Sequence, residues 1–279
     1  MSFLFLLLFG LIAAQAHDEL REGLTFHASF DVAYAAELSA DSPDCVVRVG
    51  RTLQPATDGP DLARVPDGRF GAALRFARKS SVRPEFAASK ALGYSTLDWS
   101  ATVSVWLRTD PDRDLAPGYC DPLQIVGDDT KNGFIFLEWS KDHNPRHFRF
   151  AVRPLYHLWN PRAVGWEEIP DAQRPMVKLE HAPFARSRWT HIVFVLERLN
   201  ARDASPKAHL YIDGLPAGSI LGHDLRFGWD PAVVRLVLGA SFVGDLDDLA
   251  VWNRGLTPTE IAALHSLPGG VSALSLDHK

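Results

Sequence analysis

The run Glu138-Trp139-Ser140-Lys141-Asp142-His143 sets two carboxylates four positions apart beside an indole and an imidazole. Two carboxyl groups can serve as acid and nucleophile in glycosidic bond cleavage when they stand about 5 Å apart. Along an extended strand, positions i and i+4 are separated by roughly 13 Å. Glu138 and Asp142 could therefore act in hydrolysis only if a loop supplied the missing partner. A second constellation follows. His147, Arg149 and Arg153 alternate with Phe148, Phe150 and Val152, which places the polar set on one face of a strand. Tyr156, Trp159 and Asn160 come directly after, and Trp139 and Trp106 lie upstream. Aromatic faces stack on sugar rings while Arg and Asn bond hydroxyls, so this set could form a groove floor with the 156–160 loop as a wall. Packing of the tryptophans in a core is the other reading, above all for Trp106, Trp189 and Trp252.

The remaining chemistry is sparse. His143, His147, His157, His181 and His191 are scattered without the short spacing of a zinc site. Asp121 and Asp128-Asp129 could line one rim, although acids in such positions usually bond their own turns. Asp247 and Asp248 are adjacent, so a regular strand sends them to opposite faces and denies them joint action. No Ser-His-Asp order or glycine-rich phosphate loop stands out.

The elements that must position these residues read as strands. Leu24–Asp31, Cys45–Val49, Ala101–Thr109, Pro122–Val126, Gly133–Trp139, His147–Val152, Arg188–Leu196 and Ala208–Asp213 are short and rich in alternating, β-branched or aromatic residues. Asp213-Gly214 signals a hairpin. The 154–183 stretch is proline-rich and carries no periodicity, the composition of a long loop. Thr257-Pro258-Thr259-Glu260 supplies an N-cap, a first-turn proline and a capping box for one helix. Many short strands and one helix predict an antiparallel two-sheet β-sandwich in a single domain.

With 279 residues, 46% hydrophobic and 23% charged, the chain can bury a large core. Its net charge of −5 gives no basic field for nucleic acid or anionic lipid. Residues 1–16 are uncharged, apolar over Phe3–Ala14 and end in Ala14-Gln15-Ala16, the pattern of a cleaved signal peptide. Export follows, to a secreted, periplasmic or cell-surface location, with no membrane attachment after cleavage. The oligomeric state is not legible. Cys45 and Cys120 could pair in that setting or stay as two buried thiols; geometry decides.

Three stretches carry a resemblance. Gly244-Asp245-Leu246-Asp247-Asp248-Leu249-Ala250-Val251-Trp252-Asn253-Arg254, followed by Leu256, Thr257, Glu260 and Ile261, resembles the closing signature of laminin-G-like, concanavalin A-like jelly rolls of a secreted bacterial type. Asp67-Gly68-Arg69-Phe70-Gly71-Ala72-Ala73-Leu74-Arg75-Phe76 and the Arg188–Val193 and Leu210–Gly214 runs are similar to the same family. The resemblance implies a concanavalin A-like jelly roll over 24–265, with 266–279 as a tail. It also implies a structural calcium held by Asp247 with Asp31 or carbonyls near it, since hard oxygen ligands suit that ion. Glucanases of this fold set Glu-x-Asp-x-x-Glu on one strand; here Ser140 interrupts the pattern. The expectation is a non-catalytic module that binds an extracellular glycan or glycoprotein on the concave face through Arg149, His147, Trp159, Asn160, Tyr156 and Trp139. The alternatives are a glycoside hydrolase or lyase using Glu138 or Asp142, and an adhesion domain without a small-molecule site.

Overall fold

A computed structural model describes residues 18–203 and 205–274. The predicted signal peptide lies outside the described residues. Two antiparallel sheets pack face to face. In spatial order the first runs β15 (Leu215–Ile220), β14 (Lys207–Ile212), β13 (Thr190–Leu199), β8 (Trp99–Arg108), β17 (Gly244–Trp252), β1 (Leu24–Ala28) and β2 (Leu38–Ser39). β6 (Ala73–Phe76) also pairs with β17, and β5 (Leu62–Val65) with β6. The second runs β12 (Met176–Leu179), β11 (Phe148–Arg153), β10 (Phe134–Trp139), β9 (Cys120–Val126), β16 (Arg235–Ala240), β7 (Pro84–Ala87), β3 (Val46–Val49) and β4 (Thr52–Pro55).

Alternation decides which side chains meet between the sheets. Val103, Val105 and Leu107 of β8 and Ile192, Phe194 and Leu196 of β13 point inward from the first sheet. Leu123 and Ile125, Ile135 and Leu137, and Phe148, Phe150 and Val152 point inward from the second. Phe150 stacks on Phe194 across the sandwich with centroids 4.9 Å apart. Burying each such side chain contributes roughly 1.5–3 kcal/mol.

Part of the first sheet's outer face is also apolar, and the chain covers that part. Val193, Val195, Tyr211, Ala250 and Trp252 form a second cluster with Leu256, Ile261 and Leu264 of the C-terminal helix Pro258–His265. That helix starts as expected: Glu260 N–H donates to Thr257 Oγ1, and Thr257 N–H to Glu260 Oε2. The domain is wider than the 24–265 expected. Leu20 joins this cluster at one end and Leu267, Val271 and Leu274 at the other, so 266–274 pack rather than trail. Among the described residues no helix is long and apolar enough to cross a membrane.

With that part of the first sheet's outer face occupied by a helix, the outer face of the second sheet displays the longest row of polar side chains across neighbouring strands. That asymmetry positions the site.

Candidate functional site

β9 carries Pro122, which has no N–H to give a ladder, and the register with β10 shifts between Leu137 and Trp139. The irregularity brings Asp121 to the outer face beside Glu138. Glu138 pairs directly with Arg149 of β11, and Arg149 with Lys178 of β12. The result is a row of charged side chains, Asp121, Glu138, Arg149 and Lys178, running across four strands.

A loop lies over this row. Arg149 Nη1 donates to Glu138 Oε1 at 3.2 Å and to Glu167 Oε1 at 2.9 Å. Tyr119 Oη donates to Glu167 Oε1 at 2.7 Å, and Arg174 Nη1 to Glu167 Oε2 at 2.8 Å. Glu167 is thus the knot that ties the 154–175 loop to the sheet. Burial would raise its carboxyl, but the bonds from Tyr119, Arg149 and Arg174 bring it down to about 2. Next to it, Arg153 stands among four rings: its guanidinium carbon is 4.3 Å from the Trp159 ring centroid, 5.1 Å from Trp166, 5.5 Å from Phe134 and 5.9 Å from Phe136. Such stacking is strongest where water is excluded.

The two acids of the row differ from Glu167. Burial, and then the neighbouring charge of Asp121, push Glu138 up to about 8, with Arg149 opposing. Arg149 is shared with Glu167, which holds it closer, so it does not restore Glu138 to the ordinary carboxylate range. Burial raises Asp121 to about 6, against a 2.5 Å bond from Gln124 Nε2.

Beside the loop the face is not sealed. Gln124, Phe134, Arg153 and Arg235 are half-exposed. Around them, Asp121 Oδ1, Arg153 Nε, Arg235 Nε, Trp159 Nε1 and Trp166 Nε1 are buried polar atoms with no partner among the described residues. Buried polar groups are nearly always satisfied, so this cluster of exceptions, itself closed to solvent, leaves unused hydrogen-bonding capacity beside the open strip.

The sequence-derived residues fall into three groups. Arg149 and Trp159 lie on this face but are 1% and 8% exposed, under the loop rather than open to solvent. His147 sits at its rim, half-buried and stacked on His143 with centroids 3.9 Å apart. Tyr156 and Asn160 brace the loop: Asn160 Nδ2 donates to Tyr156 Oη and Val164 O, and Val164 N–H donates to Asn160 Oδ1. Trp139 corrects the reading. It follows Ile135 and Leu137 inward and is fully buried, stacked on Phe242 at 5.7 Å. Asp142 sits in an exposed turn, paired with Lys141, and shares nothing with Glu138. Asp129 accepts from Lys131 N–H, a turn contact. Missed were Tyr119, Gln124, Trp166, Glu167 and Arg235 as members of the site; Pro122 inside a strand was the one signal that could have pointed to Asp121.

The calcium expectation meets an unsuitable donor set. Asp247 Oδ2 accepts from Arg69 N–H at 2.6 Å and Phe70 N–H at 3.0 Å, and Oδ1 from Asp248 N–H. Asp31 Oδ1 accepts from Ala72 N–H at 2.7 Å. Both acids use amide hydrogens of the 68–72 loop and of β17, whose positive ends repel a cation. Among the described residues no group of three or more His, Cys, Asp or Glu side chains is placed to hold a metal ion. These bonds engage both Asp247 oxygens and one oxygen of Asp31. Cys45 and Cys120 are both buried free thiols. Cys45 precedes β3 and Cys120 begins β9, three strands away and so roughly 14 Å distant. A disulfide needs Cα atoms within about 7 Å.

A family model described as "Concanavalin A-like lectin/glucanases superfamily" matches residues 87–262. No curated protein matches the chain. Among solved structures, the chain resembles domain 4 of AbnA, an extracellular GH43 arabinanase from Geobacillus stearothermophilus in complex with arabinotriose. The TM-score is 0.50 at 17% identity, covering 86% of this chain and 96% of that one. It also resembles the receptor binding domain of a botulinum neurotoxin C/D mosaic serotype, with TM-score 0.56, 12% identity, and 88% and 51% covered. The botulinum neurotoxin serotype D ligand binding domain in complex with N-acetylneuraminic acid gives TM-score 0.54, 10% identity, and 90% and 52% covered. The chain spans about half the length of these two toxin domains. Identities this low show shared architecture.

Proposed function

The chain belongs to the concanavalin A-like lectin/glucanases superfamily, and on that footing we propose that it is a non-catalytic recognition module for an extracellular glycan or glycoprotein. One observation carries the reading: on the outer face of the second sheet, Arg153 stands among Trp159, Trp166 and Phe134, surrounded by buried polar atoms without partners. Sugar rings offer an apolar face for aromatic rings and a dense edge of hydroxyls for Arg, Gln and carboxylate groups, which is the complement of this surface. Gln124, Phe134 and Arg235 line the open strip, while Glu167 fixes the loop that forms its wall. Two structural neighbours, the arabinanase domain with arabinotriose and the toxin domain with N-acetylneuraminic acid, support glycan binding as a use of this architecture. Removal of residues 1–16 and release outside the cytoplasm belong to the same proposal.

A polysaccharide hydrolase is the second reading, and one observation favours it. Asp121 and Glu138 are neighbouring buried acids held apart in protonation, Asp121 to about 6 and Glu138 to about 8. A carboxyl kept protonated near neutral pH is what a general acid requires. Asp121 thereby replaces Asp142 as the partner of Glu138. A screen of polysaccharides against the full chain, assaying the same wells for binding and for released reducing ends, separates the two. Binding without release supports the module. Release abolished in Glu138→Gln supports the hydrolase, and silence in both channels supports an adhesion domain.

A further inference from the structure

We propose that a second cleft, on the outer side of the first sheet, binds the carboxylate of an acidic sugar. Arg69, Trp106, Arg188, Trp189, Asp213 and His265 line it, and its volume of about 360 Å³ is large enough for a monosaccharide. It lies on the other sheet from the Arg153 face and uses none of its residues.

Of the two arginines in the cleft, only one has charge left over. Arg188 is paired with Asp213, whose other oxygen accepts from His191 N–H at 2.9 Å. That acid is spent within the protein. Arg69 is different. Its backbone N–H is tied to Asp247, which fixes the base of the side chain. Its guanidinium lies over Phe70 at 4.6 Å and over Trp106 at 4.7 Å. Among the described residues it makes no side-chain hydrogen bond or ion pair. Stacking engages the flat face of a guanidinium and leaves its in-plane N–H fork free, the geometry that grips a carboxylate with two bonds.

A second observation points to the same place. The imidazoles of His265 and of the fully buried His191 stand beside Arg69, and their buried Nδ1 atoms have no partner among the described residues. Both rings stack against Trp106, at 4.6 Å for His191 and 5.4 Å for His265. His265 lines the cleft and is half-buried; its Nε2, unlike Nδ1, is not closed off from solvent and makes no hydrogen bond among the described residues, so it can bond a sugar hydroxyl. Trp189, held from one side by Arg108 at 4.6 Å, gives the half-buried indole at the rim against which a ring can lie. A fixed cation, a hydroxyl partner and an indole within one small cleft select a sugar carrying a carboxylate over a neutral sugar or a bare anion.

The test is a fluorescence titration of the full chain with sodium glucuronate, methyl glucoside and sodium sulfate. Saturable binding of glucuronate is expected, at least about tenfold tighter than the glucoside, since charged hydrogen bonds are each worth about that factor. Arg69→Ala should lose about tenfold in affinity, and Arg69→Lys, which keeps the charge and the fold but not the fork, several-fold. Arg51→Ala, in the exposed turn between β3 and β4, should bind glucuronate as the wild type does, and Arg153→Ala is titrated alongside to detect glucuronate held on the second sheet instead. Equal affinities for wild type and Arg69→Lys, or a loss confined to Arg153→Ala, would overturn the assignment; sulfate binding as tightly as glucuronate would overturn its sugar component. Whether neutral glycans bind the second sheet does not enter these comparisons.

Discussion

Asp247 and Asp248 are consecutive, yet both side chains project from the outer face of the first sheet. Asp248 takes a φ of 49°, the pairing with β8 shifts between Asp247 and Ala250, and Asp248 N–H donates back to Asp247 Oδ1 at 2.7 Å. Each acid then holds a different surface segment. Asp247 accepts from the amides of Arg69 and Phe70, while Asp248 accepts from Val271 N–H at 3.1 Å and bonds His27 at 2.8 Å. Asp247→Ala should cost about 2–4 kcal/mol, because three amide donors lose their buried acceptor. Denaturant unfolding reads this as a lower midpoint at unchanged slope.

The raised acids give stability a pH slope whose sign is fixed. Asp121 at about 6, Asp247 at about 7 and Glu138 at about 8 hold protons in the folded state that the unfolded chain has already released. Their contribution is complete below the ordinary carboxylate range near pH 4 and is lost as pH rises toward 8. Glu167 runs the other way: at about 2 when folded, it stabilises above pH 4 and loses that contribution on acidification. Melting temperatures should therefore peak on the mildly acidic side. Glu138→Gln should flatten the fall between pH 6 and 8; an unchanged fall would contradict the placement of Glu138.

Removing the knot of the loop should be costly. Glu167→Ala leaves Arg149 and Arg174, 1% and 5% exposed, without their shared acid. Breaking a buried pair costs about 3–5 kcal/mol; Glu167 remains partly solvated, so about 2–3 kcal/mol is expected. Proteolysis within 154–175 should accelerate along with the drop in melting temperature.

Calcium should not stabilise the chain. Asp31 and Asp247 are committed to amide donors, so millimolar calcium or chelator should leave the melting temperature unchanged. A calcium-dependent rise would show an ion bound by the native state alone.

The sandwich was legible because alternation in Ala101–Thr109, Gly133–Trp139 and His147–Val152 is a local property, and each stretch forms a strand within a residue or two of expectation. Thr257 and Glu260 likewise announced their helix. The open face was not legible, since it depends on where that helix docks, and only Val193, Val195 and Trp252 meeting Ile261 and Leu264 settles it. The same strand-by-strand logic separated Asp247 from Asp248 and favoured a turn role for Asp121 over a place on the rim. Both failures trace to irregular pairing, where one extra residue changes which face a side chain reaches. Trp139 was misjudged for a different reason: alternation already sent it inward with Ile135 and Leu137, but an indole reads equally as a sugar platform or as core.

The most direct test of glycan recognition on the second sheet compares Arg153→Ala and Trp166→Ala with wild type, against the tightest glycan found in the screen, by calorimetry on folded protein. The reading predicts at least a tenfold loss of affinity in each, with no reducing ends released by any of the three proteins and, where that glycan is neutral, with Arg69→Ala binding it normally. Undiminished binding by both Arg153→Ala and Trp166→Ala would contradict it.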